Sequence, residues 1–171
     1  MANDGREVLQ EMFRHNRWAN LRVLDACEAA GDAVMDTPLA SGLGSPRDTL
    51  WHIAANEEGY LGVLTGDPTP DSLFGFQAAP ALEVLRHRLD RSGTALAEIA
   101  ATVDASDTVY PVRQGETWEI RTMAPLLQAV NHGTEHREQI KAALTLAGLE
   151  PPKVDFWTYA SAMGYARPVA D

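Results

Sequence analysis

The sequence predicts an all-α protein, a four-helix bundle forming a single domain over residues 1–171. Three observations lead there. Four segments repeat apolar residues at helical spacing. Stretches containing glycine and proline separate them. A chain of 171 residues can bury one good core, and two would be too many.

The first helix is expected from about Asp4 to Ala30, with Leu9, Met12, Phe13, Val23, Leu24 and Cys27 on one stripe. A loop containing Gly31, Pro38, Gly42 and Gly44 follows. The second helix starts at Ser45-Pro46-Arg47-Asp48: Ser45 can cap, Pro46 suits the first helical position, and Asp48 favours the positive end. It carries Leu50, Ile53, Ala54, Leu61 and Leu64 and stops at Gly66-Asp67-Pro68. The third begins at Pro80 and repeats Leu82, Leu85, Leu89, Leu96 and Ile99. Between residues 107 and 121, Thr108-Val109-Tyr110 and Thr117-Trp118-Glu119-Ile120 flank Gln114-Gly115-Glu116, the pattern of a short β-hairpin. The fourth helix runs from about Met123 to Ala147, ending at Gly148 with Pro151-Pro152 beyond. A short last helix, about Asp155 to Met163, carries Phe156, Trp157 and Tyr159, aromatics expected to cover part of the bundle. The first two interhelical connections, about 14 residues each, permit either simple up-down order or a crossover.

Composition narrows the function classes. The net charge of −10, with no run of Lys or Arg, argues against nucleic-acid binding, because an acidic surface repels phosphate backbones. No apolar stretch approaches the ~20 residues of a membrane span. The opening Met1-Ala2-Asn3-Asp4-Gly5-Arg6-Glu7 lacks a basic start followed by an apolar run, so no secretory signal and a cytoplasmic location are expected. Cys27, the single cysteine, lies among Val23, Leu24 and Ala26 and is expected to pack as a small hydrophobe.

Three polar residues occupy apolar stripes: Asn16 and Asn20 on the first helix, and Glu57 on the second, aligned with Ile53, Leu61 and Leu64. Helix bundles build ligand and metal sites from inward-facing side chains of this kind. A buried carboxylate is costly unless compensated, so Glu57 must find a partner, reach solvent or hold a proton. Each of the three can equally be satisfied by a neighbouring backbone group.

The strongest chemical signal is His132 and His136 in Asn131-His132-Gly133-Thr134-Glu135-His136-Arg137-Glu138-Gln139-Ile140. Histidines four apart stack on one helix face, so both imidazoles can reach one ion. They flank the Leu126/Val130/Ile140/Leu144 stripe, and His52 flanks its own stripe by a similar offset. Such positions line grooves between helices and suit a rim site open to solvent on one side. Three imidazoles with a vacant position are the ligand set of a catalytic zinc-type site. The bland alternative is that these are surface or structural histidines. His15 and His87 have no partner at helical spacing and are read as bland.

The residues then match a pattern. Phe13-Arg14-His15-Asn16-Arg17-Trp18-Ala19-Asn20, Thr49-Leu50-Trp51-His52-Ile53-Ala54-Ala55-Asn56-Glu57 and the segment Asn131 to Ile140 resemble the DinB-like (YfiT-like) superfamily of metal-dependent enzymes, as do Ala147 to Pro152, Asp155 and Tyr159. The resemblance spans nearly the whole chain. It implies a bundle in up-down-down-up order with a crossover, frequently a homodimer, and a histidine triad at His52, His132 and His136 holding nickel or zinc. It also implies a small-molecule substrate and, in some members, a low-molecular-weight thiol such as bacillithiol or mycothiol in S-transfer. Metal-dependent hydrolysis, or a non-catalytic stress-induced metal- or ligand-binding role, are the alternatives. On this reading Glu57 is the candidate catalytic base or orienter, and Asn16 and Asn20 hold a hydrogen-bond network or bind a polar group of a ligand. Glu135 and Glu138 are solvated, and Arg137 and Gln139 are candidates for dimer contacts.

Overall fold

The computed structural model describes residues 4–39, 44–67, 72–104, 106–113 and 115–169, with 4 and 113 as backbone only. Gly42, Pro68 and Gln114, singled out above, and the first three residues lie outside that set. Four long helices form the frame: α1 (Asp4–Ala30), α3 (Pro46–Thr65), α4 (Leu82–Thr102) and α5 (Met123–Leu146). Between α1 and α3 a single turn, α2 (Asp32–Met35), stands where only a loop is expected; it inserts the fully buried Met35 beneath the bundle. Between α3 and α4 a 3-10 turn, Leu73–Gly75, does the same with Leu73. Both are too short to show a period.

The helix ends obey their chemistry. Ser45 accepts from the Asp48 amide at 3.2 Å, and the Asp48 carboxylate accepts from the Ser45 amide at 2.8 Å, a reciprocal cap with Pro46 in the first turn. Helix α4 begins at Leu82, two residues after Pro80, because the Ala81 carbonyl is the first to accept from the helix. Helix α5 closes with Leu149 donating to the Leu144 carbonyl at 2.9 Å and Gly148 to Thr145 at 3.0 Å, with Gly148 at φ 77°.

Contacts fix the direction of each helix. Arg86 near the start of α4 pairs with Asp25 and Glu28 near the end of α1, and Arg17 with Asp90, so these two are antiparallel. They approach closely at Gly93, where a Cβ would lie 2.6 Å from that of Arg17. Leu50 and Ile53 share a cluster with Leu85 and Leu89, and Leu61 and Leu64 share another with Leu96 and Ile99, making α3 and α4 parallel. Phe13 packs with Leu126 and Ala129, whereas Val23 and Cys27 pack with Ile140 and Leu144, making α1 and α5 parallel. Around the bundle the order is α1–α4–α3–α5, and along the chain the four long helices run up-down-down-up, so that the chain crosses over between α3 and α4.

The hairpin has two short ladders. Strands β1 (Thr108–Val109) and β4 (Ile120–Arg121) pair, as do β2 (Val112–Arg113) and β3 (Glu116–Thr117). Pro111, which has no amide hydrogen, sits at the break, and its carbonyl accepts from Trp118 at 3.0 Å. Finally α6 (Phe156–Ala162), capped by Asp155, docks on α1. Tyr159 is buried and donates to Glu11, and His15 donates to the Val154 carbonyl at 2.8 Å between the rings of Trp18, Phe156 and Tyr159. Trp157, expected to cover the bundle, points outward at 80% exposure.

Candidate metal centre

The core is two apolar clusters with a polar layer between them. One cluster holds Val23, Leu24, Ile53, Leu89 and Ile140; the other holds Phe13, Leu96, Leu126 and Ala129. At the boundary each long helix contributes polar side chains: Asn16 and Asn20 from α1, Glu57 from α3, Ser92 from α4 and Arg137 from α5, all at most 2% exposed. Arg137 Nη1 donates to Asn16 Oδ1 and Asn20 Oδ1, both at 2.7 Å. Asn16 and Asn20 each donate from Nδ2 to Glu57 Oε1 at 2.8 Å, and Ser92 donates to Glu57 Oε2. Arg137 Nη2 also reaches Thr134 Oγ1 at 3.0 Å.

The asparagines therefore relay between a buried cation and a buried anion. Burial is the largest influence on both ends: it raises the Glu57 carboxyl above its ordinary value, against Ser92, Asn16 and Arg137, and it brings Arg137 down to about 10. Gly133 makes the relay possible. A Cβ there would lie 2.7 Å from Asn16 Oδ1 and 2.8 Å from Arg137 Nη1, so any larger residue would occupy the space of their hydrogen bond.

Beside the layer on α5, the histidines converge. His132 Nε2 is 3.0 Å from His52 Nε2 and 3.1 Å from His136 Nε2, and the three ring centroids are 4.3 to 4.9 Å apart. His132 and His136 are 8% and 9% exposed, and His52 is half-buried. Burial, then His136 and His52, lowers the His132 pKa to about 4; burial and His136 lower that of His52. At neutral pH those two rings are uncharged, the form that ligates metal. His136 Nδ1 faces the Gln139 side-chain oxygen Oε1 at 2.8 Å, which keeps the proton on Nδ1 and frees the Nε2 lone pair.

These residues fit a divalent cation. A tetrahedral ion with Zn–N bonds of about 2.0–2.1 Å would set its ligand nitrogens roughly 3.3 Å apart, close to the distances here. Among the described residues, His52, His132 and His136 are the group of three placed to share an ion.

The structure brings together the three histidines and, separately, Asn16, Asn20 and Glu57. Glu57 is not placed as a free base beside the triad, because its oxygens are occupied by Asn16, Asn20 and Ser92 in the core. Arg137 is not a dimer contact, because it is buried within its own bundle. Gln139, half-buried, orients a histidine. Glu135 and Glu138 are exposed, as expected, on Asn131 and Lys141. Sequence reasoning missed Ser92, and it named Arg137 and Gln139 without these contacts. The signal for Arg137 was present: two stripe asparagines and a glutamate call for a buried donor, and Gly133, four residues earlier on the same face, leaves it room.

No helix among the described residues is long and apolar enough to cross a membrane. No curated protein and no solved structure matches the chain. A family model described as the DinB family matches residues 1–167, spanning the four long helices, the polar layer and the histidine cluster. The chain belongs to the DinB family.

Proposed function

We propose that the chain is a divalent-metal-dependent enzyme that transfers a low-molecular-weight thiol of the bacillithiol or mycothiol type to a small electrophile. The observation that carries the reading is the convergence of three imidazole Nε2 atoms, two of the contacts at 3.0 and 3.1 Å, on a partly open rim. A divalent cation held there would lower the pKa of a bound thiol or water by several units.

The chain's own residues leave the nucleophile to come from outside. Cys27 is fully buried with its thiol pushed up to about 12, and the Glu57 carboxylate is enclosed in the core. His52, His132 and His136 would hold the ion through neutral lone pairs, so its full charge would be left to stabilise a thiolate. Gln139 holds the His136 tautomer. Glu57, with Asn16, Asn20, Ser92 and Arg137, acts as a positioning group that locks α5 against α1 and thereby sets where His132 and His136 project. Nickel and zinc are the metals proposed, imidazole suiting both. A homodimer is proposed with it.

The test incubates zinc- or nickel-loaded protein with 1-chloro-2,4-dinitrobenzene and a thiol, using cysteine, bacillithiol and mycothiol in turn. The thiol sulfur bonds to the ring carbon, chloride leaves, and the thiol proton goes to solvent. A metal-dependent rate that rises with thiol concentration is expected. A rate equal to that of the metal-free protein for all three thiols contradicts the transferase reading. Hydrolysis of an ester without thiol, in its place, would make the protein a hydrolase.

A further inference from the structure

Beside the triad, α3, the 3-10 turn and the start of α5 enclose a cleft of about 530 Å³. That volume lies within the range of small-molecule sites. Val63, Phe74, Pro125 and the ring of Tyr60 form its apolar walls, the amides of Asn56 and Gln128 are among its polar groups, and no Asp, Glu, Lys, Arg or His among the described residues lines it. It begins at the triad's edge: the Tyr60 ring is 6.0 Å from that of His132, and Asn56 Nδ2 is 3.3 Å from the ring nitrogens of His52.

Phe74 is the unusual member. It is 60% exposed, yet the turn that carries it is tied down. Its neighbour Leu73 is fully buried, donates to the Glu58 carboxylate at 3.1 Å, and accepts from Trp51 Nε1 at 3.0 Å. Glu58 is in turn gripped by Arg88 at 2.9 Å and Arg91 at 3.3 Å. The Phe74 ring lies on helix α3 at Gly59, where a Cβ would come within 3.1 Å of it. On its other side the same ring lines a second cleft of about 400 Å³ that includes His52 and Trp51. An exposed aromatic, seated on Gly59 and carried by an anchored turn, thus stands between two clefts beside the histidine cluster.

Resting on the metal-dependent reading above, we propose that Phe74, seated on Gly59, is the specificity-determining wall of the site, and that the cleft beyond it takes the uncharged aromatic or alkyl body of the substrate. A charged body would lose its hydration against walls that carry no opposite charge. Asn56 Nδ2 donates to the His52 backbone carbonyl at 2.8 Å, so the Gln128 amide is the group assigned to orient a carbonyl or nitro group on that body.

Hydroxamates test this through binding alone, since their head group chelates an exposed metal ion and their tail can be varied. Calorimetry on zinc-loaded protein with benzohydroxamate should show affinity about tenfold higher than with acetohydroxamate, from burial of the ring. Adding a carboxylate to the ring, as 4-carboxybenzohydroxamate, should remove that gain. Phe74→Ala should bring the benzo/aceto ratio down to roughly two, and Gly59→Ala should also shift it. Metal content should stay unchanged in both variants. Equal affinities for the two hydroxamates, or a ratio untouched by Phe74→Ala, overturn the assignment of Phe74 while leaving the metal centre standing. Failure to retain zinc at all, with neither hydroxamate bound, overturns the metal-dependent reading and this proposal with it.

Discussion

At the scale of single residues, the triad depends on protonation and tautomer as much as on placement. His132 titrates near 6.5 when unfolded and near 4 when folded, so the unfolded chain takes up its proton first as the pH falls. Stability from this group is complete above about pH 6.5 and is lost as the pH drops towards 4. Denaturation of metal-free protein across that window should show the loss, and His132→Asn should flatten it; an identical profile in the variant would assign the loss elsewhere. Gln139→Ala should weaken metal binding roughly tenfold with unchanged circular dichroism, because the His136 ring loses its orienting partner. The histidines were legible because spacing along one helix is enough to pair His132 with His136. Gln139 and Arg137 were not, because their roles depend on which atoms face them. For Arg137 the partners lie 117 and 121 residues away on another helix.

Elements were legible wherever a full period could repeat. The stripes on α1, α3, α4 and α5 gave four helices close to their observed bounds, and Ser45-Pro46 marked the start of α3. The single turn Asp32–Met35 and the 3-10 turn Leu73–Gly75 each bury one side chain and offer no repeat to detect. Ser45→Ala should cost about 1 kcal/mol in chemical denaturation by removing the cap. Gly133→Ala should cost more, about 1–3 kcal/mol, since the added methyl overlaps the Arg137–Asn16 contact. If Gly133→Ala proved as stable as the parent, the relay would not be under the steric constraint described here.

For the whole molecule, the polar layer and the metal centre do complementary things. The layer interrupts the hydrophobic core at one level, where Arg137, Asn16, Asn20, Glu57 and Ser92 match only in one register of the four helices. Burial opposes the charge on Glu57 and on Arg137, so the layer's contribution is register more than net stability. The up-down-down-up order could not be read from connections that allow either topology; it follows from which side chains meet. The histidines then bridge α3 and α5, so an ion bound only by the folded chain should raise the unfolding free energy by about 2.7 kcal/mol at a hundredfold excess over its Kd. Light scattering should give twice the 18.6 kDa chain mass if the proposed dimer forms. The most direct measurement is elemental analysis of metal-loaded, desalted protein beside its His136→Ala variant. One zinc or nickel ion per chain is expected in the parent and a large loss in the variant; equal metal content in the two, or none in the parent, would rule out a three-histidine centre.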